Sequence, residues 1–333
     1  MNGRLVYLTG GTGFIGRRLV DALRARGCRL RCLVRDRRRA AALEGPGVEL
    51  VPGDVLDPAA HRYGLRDADL AFHLAAAYQI GVVDPNQLER ANVDGTRTFL
   101  AALEEAGTPR AVYVSSTAAL GPVASGEGDE SSHYSGPYPT AYHLTKTRAH
   151  ERARAAQQAG LPLIIVCPAN VYGPGDTGPN GRFLGDVVRR RLPGLLRDPA
   201  WFSYVHVDDV VEGLIAAAER GTLGATYVLS GEAATINDVA ERAAAIAGVR
   251  PPPLRLPVAL AAATGVVLDV ISRVTRLKFP MSREGVAVAA HGRWLHSHER
   301  ATRELGWHPR SLAEGLPETV AWLKTGARSE THG

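Results

Sequence analysis

The feature that most constrains this chain is a cluster of glycines set between an apolar strand and a helix. Leu5-Val6-Tyr7-Leu8 reads as a buried strand and runs directly into Thr9-Gly10-Gly11-Thr12-Gly13-Phe14-Ile15-Gly16, where the helical pattern Phe14–Arg26 begins. Glycine lets a backbone turn tightly and approach a pyrophosphate held at a helix N-terminus. Gly11, Gly13 and Gly16 form G-x-G-x-x-G, and Gly10, Gly13 and Gly16 form G-x-x-G-x-x-G. Such spacing is weak in isolation. Between a strand and a helix it specifies a dinucleotide-binding βαβ unit. Thr9, Gly10, Thr12, Gly13, Phe14, Ile15 and Gly16 are therefore expected to line a cofactor.

The pattern continues in the same sense. Leu30–Val34, Val48–Val51, Leu70–Leu74, Ala111–Ser115 and Leu163–Val166 read as further strands. Phe14–Arg26, Arg37–Leu43, Gln87–Ala106 and Tyr142–Ala159 read as helices, with Gly27, Gly107 and Gly160 at their ends. Alternation of this kind predicts right-handed crossovers and an α/β fold, a Rossmann-like doubly wound parallel sheet with a smaller C-terminal substrate-binding region. Tyr204–Ala218 reads as a strand end and a helix returning to the sheet. The expected division is 1–166 plus roughly 201–230 for the dinucleotide half, and roughly 167–200 plus 231–333 for the substrate half.

Composition narrows the class. The three cysteines, Cys28, Cys32 and Cys167, exclude a disulfide scaffold and fit a reducing, cytoplasmic compartment. Net charge is +5, and all but three of the 39 cationic residues are arginine. That bias reads as genome composition, and no nucleic-acid partner is expected. The uncharged stretch Leu256–Leu268 is shorter than the ~20 residues a membrane span needs. It fits a buried or substrate-capping helix, with contact at a membrane surface left open. His291, His296 and His298 match no tetrahedral spacing, and no metal is expected.

Cofactor choice is read from the end of the second strand, where an acid would hold the ribose 2′-hydroxyl of NAD. Val34 stands there and Arg35 follows, and a guanidinium suits a phosphate. NADP(H) is preferred on this reading, with NAD(H) possible, and Asp36 pairs with a neighbouring arginine. Asp54 after the third strand is placed to meet the adenine, with Val55 beside it. Leu74, Ala75 and Ala76 let the chain pass close to the cofactor, and His73 reads as a packed core residue.

Two features carry the chemistry. Ser115-Ser116 closes the fifth strand, putting hydroxyls at the edge where ligands of such sheets bind. Tyr142 and Lys146 lie one helical turn apart, so an ammonium beside the phenol is expected to lower its pKa and make it an acid–base group. In a chain with only three lysines this spacing argues for function.

These stretches, with Asn92-Val93-Asp94-Gly95-Thr96, Cys167-Pro168-Ala169-Asn170-Val171-Tyr172-Gly173-Pro174 and His206-Val207-Asp208-Asp209-Val210, resemble the extended short-chain dehydrogenase/reductases, the NAD(P)-dependent epimerase/dehydratase group. The resemblance implies that Ser116 bonds the reacting oxygen, with Ser115 as the alternative. It implies that Tyr142 exchanges a proton and Lys146 holds the nicotinamide ribose. Asn92 would line the crevice or brace the sheet, Pro168 and Val171 would touch the nicotinamide, and His206–Asp209 would be structural. Asn170, Trp201 and Phe202 are expected at the substrate, along with Ser116. The chain departs from the family at Cys167, where arginine is usual.

Nucleotide-sugar members carry an arginine at the position of Phe202, and an aromatic ring cannot replace it against a diphosphate. With Arg35 and Leu256–Leu268, this looks like the dihydroflavonol reductase and 3β-hydroxysteroid dehydrogenase-like branch, acting on a ketone, aldehyde or alcohol of an apolar small molecule. The other readings are a nucleotide-sugar or sugar epimerase/dehydratase and a non-catalytic NADP(H)-binding regulator. A homodimer is expected from the alanine-rich faces of Gln87–Ala106 and Tyr142–Ala159, as in related enzymes.

Overall fold

The computed structural model describes residues 1–81, 84–275, 282–290 and 292–326. Its elements run β1 (Leu5–Thr9), α1 (Phe14–Ala25), β2 (Arg29–Val34), β3 (Val48–Pro52), α2 (Pro58–Leu65), β4 (Leu70–His73), α3 (Pro85–Glu89), α4 (Gly95–Ala106), β5 (Ala111–Val114), α5 (Thr117–Leu120), α6 (Ala141–Gln158) and β6 (Leu163–Pro168). The second half adds β7 (Asn170–Tyr172), α7 (Pro179–Val188), β8 (Gly194–Leu196), β9 (Trp201–His206), α8 (Val207–Arg220), β10 (Thr226–Leu229), β11 (Ala233–Thr235), α9 (Ile236–Ala247), β12 (Leu254–Leu256), α10 (Val258–Thr275), α11 (Arg283–Ala290), β13 (Arg293–Trp294), α12 (Glu299–Leu305) and α13 (Leu312–Lys324).

Seven strands form one parallel sheet in the order β10-β6-β5-β4-β1-β2-β3. Both faces are covered, so successive residues of one strand feed opposite cores. Val6 and Leu8 pack with Leu19, Val20 and Leu23 of α1 and Val210 and Leu214 of α8. Tyr7, between them, points to the other layer, with Leu65 of α2, Phe99 and Leu103 of α4 and Ala149 of α6. The strand order reverses between β1 and β4, which opens a crevice at their carboxyl ends. At the far edge, the backbone N–H of Val228 in β10 donates to the Glu130 carboxylate at 2.9 Å.

A second, small sheet is built on β9, flanked by β11 and β13, with β7 also paired to it. The strand leading into α8 thus pairs here, and only α8 packs on the main sheet. The C-terminal segment is fastened to the start of α8. Arg310 bonds Asp209 through backbone N–H and guanidinium at 2.9 and 3.0 Å, and the Trp307 indole donates to the Asp209 carbonyl at 2.7 Å.

Two helix expectations need correction. Arg37–Leu43 is a turn followed by a single short helical turn at Ala41–Leu43. The Asp36 carboxylate accepts the N–H groups of Arg38 and Arg39, and this local bonding competes with a helix. Gln87–Ala106 is helical throughout, but the helix starts at Pro85 under an Asp84 cap and a π-type turn at Arg90–Asp94 interrupts its α-register between α3 and α4. The helix α2, capped by Asp57, was not read from the sequence at all; its short length leaves little periodicity to detect.

Candidate active site

The glycine loop opens α1 with Gly13 as its N-cap, and neither a capping side chain nor an acid in the first turn claims the helix start. That leaves donors and the positive end of the helix dipole available to an anion. Gly10 lies at φ +78°, and a Cβ there would sit 2.7 Å from the Ala75 nitrogen. A Cβ on Gly16 would meet the Gly10 carbonyl oxygen at 2.1 Å. The loop therefore abuts the exit of β4 with no room for side chains. Thr12 and Gly13 are exposed, Phe14 and Ile15 half-buried. This cradle, bare of side chains beside an uncapped helix, fits a dinucleotide pyrophosphate.

Thr9 is a correction. It is fully buried, and its hydroxyl bonds the His73 Nδ1 at 2.9 Å and accepts from the Ala75 N–H at 3.3 Å. It braces the loop exits and offers no surface to a ligand. His73 is a core residue, stacked on Phe99 with centroids 4.4 Å apart.

At the adenosine end, Arg35 is exposed and has no ion-pair partner among the described residues. Asp36 is engaged by its own turn and by Arg39 at 3.6 Å. The Asp54 carboxylate accepts the Leu56 N–H at 3.0 Å, and Val55 offers its carbonyl to His61 Nε2 at 2.9 Å. Leu74 and Ala75 are half-buried and Ala76 is exposed along the crevice.

The Thr140 hydroxyl caps α6, accepting the His143 N–H, and the helix then presents Tyr142 and Lys146. Tyr142 is half-buried, and burial pushes its phenol up to about 12, with a hydrogen bond from Ser116 working the other way. Ser116 also caps α5 by accepting the Ala118 N–H at 3.1 Å. Lys146 is almost fully buried; burial lowers its ammonium to about 8. Its Nζ donates to the Val114 carbonyl at 3.1 Å and lies 5.5 Å from the centre of the Tyr113 ring.

This differs from the expectation that Lys146 depresses Tyr142. Desolvation dominates, opposed by the Ser116 hydrogen bond, so the phenol holds its proton and the ammonium is the group closer to titrating. Ser115, the alternative to Ser116, faces inward and bonds His150 Nδ1 at 2.9 Å.

Asn92 occupies the π-type turn and acts as a brace. Its amide exchanges two bonds with the Ala77 backbone, at 2.7 and 3.1 Å, and donates to the Thr145 hydroxyl at 3.0 Å. One side chain thus ties the crevice loop after β4 to the helix carrying Tyr142 and Lys146. That loop also brings Tyr78 onto Tyr142, ring centroids 4.7 Å apart. Tyr78 was missed from sequence, where only its place two residues past Ala76 marks it.

Pro168 is buried at the end of β6, paired with Leu229, while Val171 and Asn170 are half-buried in β7. The Asn180 amide bonds Asn170 and the Val171 carbonyl. Asn170 lies opposite Tyr204 of β9 and bonds its hydroxyl. Trp201 and Phe202 lie at the other end of β9, Trp201 under the Arg293 guanidinium at 5.9 Å. So Tyr204 is the β9 aromatic beside Asn170. His206, Asp208 and Glu318 approach one another, but Arg18 holds Asp208 and Arg310 holds Glu318 at 2.9 Å, so the cluster is a structural ion-pair network.

Residues 6–230 match the NAD dependent epimerase/dehydratase family. The chain belongs to that family. It is 32% identical to a putative dihydroflavonol 4-reductase from Synechocystis sp., over 96% of this chain and 94% of that one. It is 31% identical to sterol demethylase protein B from Methylococcus capsulatus, over 95% and 97%. The crystal structure of gox2253 superposes with TM-score 0.82 at 34% identity, covering 98% of this chain and 99% of the other. The chain is an extended short-chain dehydrogenase/reductase, an NAD(P)-dependent oxidoreductase with a dinucleotide crevice at the β1–β4 switch point.

Proposed function

We propose that the protein is an NADP(H)-dependent oxidoreductase that interconverts a ketone or aldehyde and the corresponding alcohol on an apolar small molecule. The observation that carries this reading is Tyr142: a protonated phenol, bonded to Ser116, one turn from a buried lysine on a helix braced to the crevice loop. In this reading Gly10, Thr12, Gly13, Phe14, Ile15 and Gly16 hold the pyrophosphate. Leu74, Ala75 and Ala76 floor the crevice, and Asp54 and Val55 flank the adenine. Arg35 takes the 2′-phosphate, Lys146 the nicotinamide ribose, and Pro168 and Val171 the nicotinamide face. The bound cofactor supplies or accepts hydride.

The chain's own residues handle charge and proton. Ser116 donates a hydrogen bond to the carbonyl oxygen, and Tyr142 gives its proton there as negative charge grows. In the oxidising direction Tyr142 takes the proton back. The apolar substrate class rests on Phe202 standing where a diphosphate-binding arginine would be, and on relatives named for flavonoid and sterol chemistry.

The test screens hydrophobic ketones and alcohols with either nicotinamide cofactor by absorbance, using wild type and Tyr142→Phe. Turnover of the variant should fall ~10²–10⁴-fold while NADPH binding stays nearly unchanged, because the ring remains and only the proton is lost. Near wild-type turnover in the variant would overturn the assignment. Activity only on nucleotide sugars, with NAD cycling in place, would favour the epimerase/dehydratase reading.

A further inference from the structure

We propose that the outer face of α10 is a docking surface for an anionic lipid bilayer. Leu260, Val266, Val267, Val270, Ile271 and Val274 are all between 39% and 80% exposed. Val267, Val270, Ile271 and Val274 follow the i, i+3, i+4, i+7 spacing and Leu260 and Val266 fall on the same side, so they form one apolar stripe. Folded chains seldom present a contiguous patch of this kind to water without a use for it.

The stripe is not a by-product of a loosely held helix. The opposite face of α10 is packed: Ala261 is buried against Leu196 and Val286. A Cβ on Gly265 would lie 2.7 Å from the Arg283 nitrogen, so α11 abuts the helix backbone there. This inner packing fixes which side of α10 faces outward.

Charge selects the occupant. Asp269 and Glu284 are the acids between residues 256 and 284; the Asp269 carboxylate accepts the Arg283 N–H at 3.0 Å and the Glu284 carboxylate accepts the Gly81 N–H at 2.9 Å. Against these two acids the same stretch of sequence carries four cations, Arg273, Arg276, Lys278 and Arg283, and Arg283 is exposed. A second copy of the chain pairing here across a two-fold axis would bring the same net positive stretch of sequence against itself. Anionic headgroups beside an apolar stripe complement both features. Among the described residues no helix is long and apolar enough to cross a membrane. The fitting geometry is a helix lying in the interface.

The test is flotation of the full-length chain with phosphatidylcholine vesicles, with and without phosphatidylglycerol. Wild type should float with the anionic vesicles and be released as ionic strength rises. Val267→Asp combined with Val270→Asp should reduce that binding at least about tenfold, with the thermal midpoint unchanged. Should the aspartates disturb the fold, the neutral pair Val267→Ser and Val270→Ser should still give a smaller loss. Wild type that floats with neither vesicle, binds both equally, or keeps its binding in the variants overturns the proposal. So does a wild-type dimer by light scattering that the double variant splits, which would assign the face to a second copy. Vesicle binding is read without substrate or cofactor, so it stands or falls apart from the oxidoreductase reading.

Discussion

Lys146 keeps its charge at a cost, because burial brings its ammonium down to about 8. The protonated form is the one that can donate to a ribose, and it is lost as pH rises through that value. NADPH affinity should therefore be highest below pH 8 and weaken above it. Lys146→Arg, whose guanidinium stays charged, should flatten the profile. Fluorescence titration across this range checks it, and a wild-type affinity independent of pH would be incompatible with the assigned role. Arg35 carries the second prediction at this scale. Losing a charge-assisted bond costs ~1.5–3 kcal/mol, so Arg35→Ala should weaken NADP(H) about ten- to a hundredfold and leave NAD(H) nearly unchanged. Equal losses for both cofactors would remove the 2′-phosphate role. Tyr142 and Lys146 were legible because helical spacing alone puts them on one face. The direction of the Tyr142 shift was not, because it depends on how much protein surrounds the ring.

Among the elements, the β1–α1 connection tolerates least. A methyl group on Gly16 would press into the Gly10 carbonyl, backbone against backbone, with no flexible side chain to give way. Gly16→Ala should cost about 2 kcal/mol or more of stability and abolish cofactor retention. Denaturant midpoints with and without NADPH measure both, and an unchanged midpoint would mean the loop relaxes freely. This connection was readable because strand, glycines and helix are contiguous in the chain. The π-type turn at Arg90–Asp94 was not, since it accompanies Asn92 bonding Ala77 and Thr145, one of them 53 residues away. Likewise the small residues after β4 announced a crevice, while the stacking of Tyr78 on Tyr142 depended on where the loop was tied.

On the scale of the whole molecule, buried histidines set the response to acid. Burial lowers His143, His150 and His296 to about 4 each. Below the usual imidazole value near 6.5 the unfolded chain takes up protons that the folded one refuses, so stability falls as pH drops from about 6.5 toward 4. Each histidine contributes up to ~1.4 kcal/mol per pH unit in that window. Thermal midpoints should decline between about pH 6.5 and 4, and His296→Gln should make the decline shallower. A flat profile would show that these rings can charge without opening the fold. Six strands of the seven-stranded sheet were legible, since they alternate with helices; β10 was not, and the strand end expected at Tyr204 belongs to the second sheet. The second sheet was not, because β7, β11 and β13 are only two or three residues long and owe their existence to β9.

The bond from Val228 to Glu130 has a consequence for solubility. A parallel sheet ends in a row of backbone donors and acceptors that another chain can extend, and β10 is such an end. By occupying one of those amides with a carboxylate from its own loop, the molecule places a negative charge where an incoming strand would have to register. The sheet is thereby guarded against recruiting strands from unfolded neighbours at the moment of synthesis, when they are most abundant.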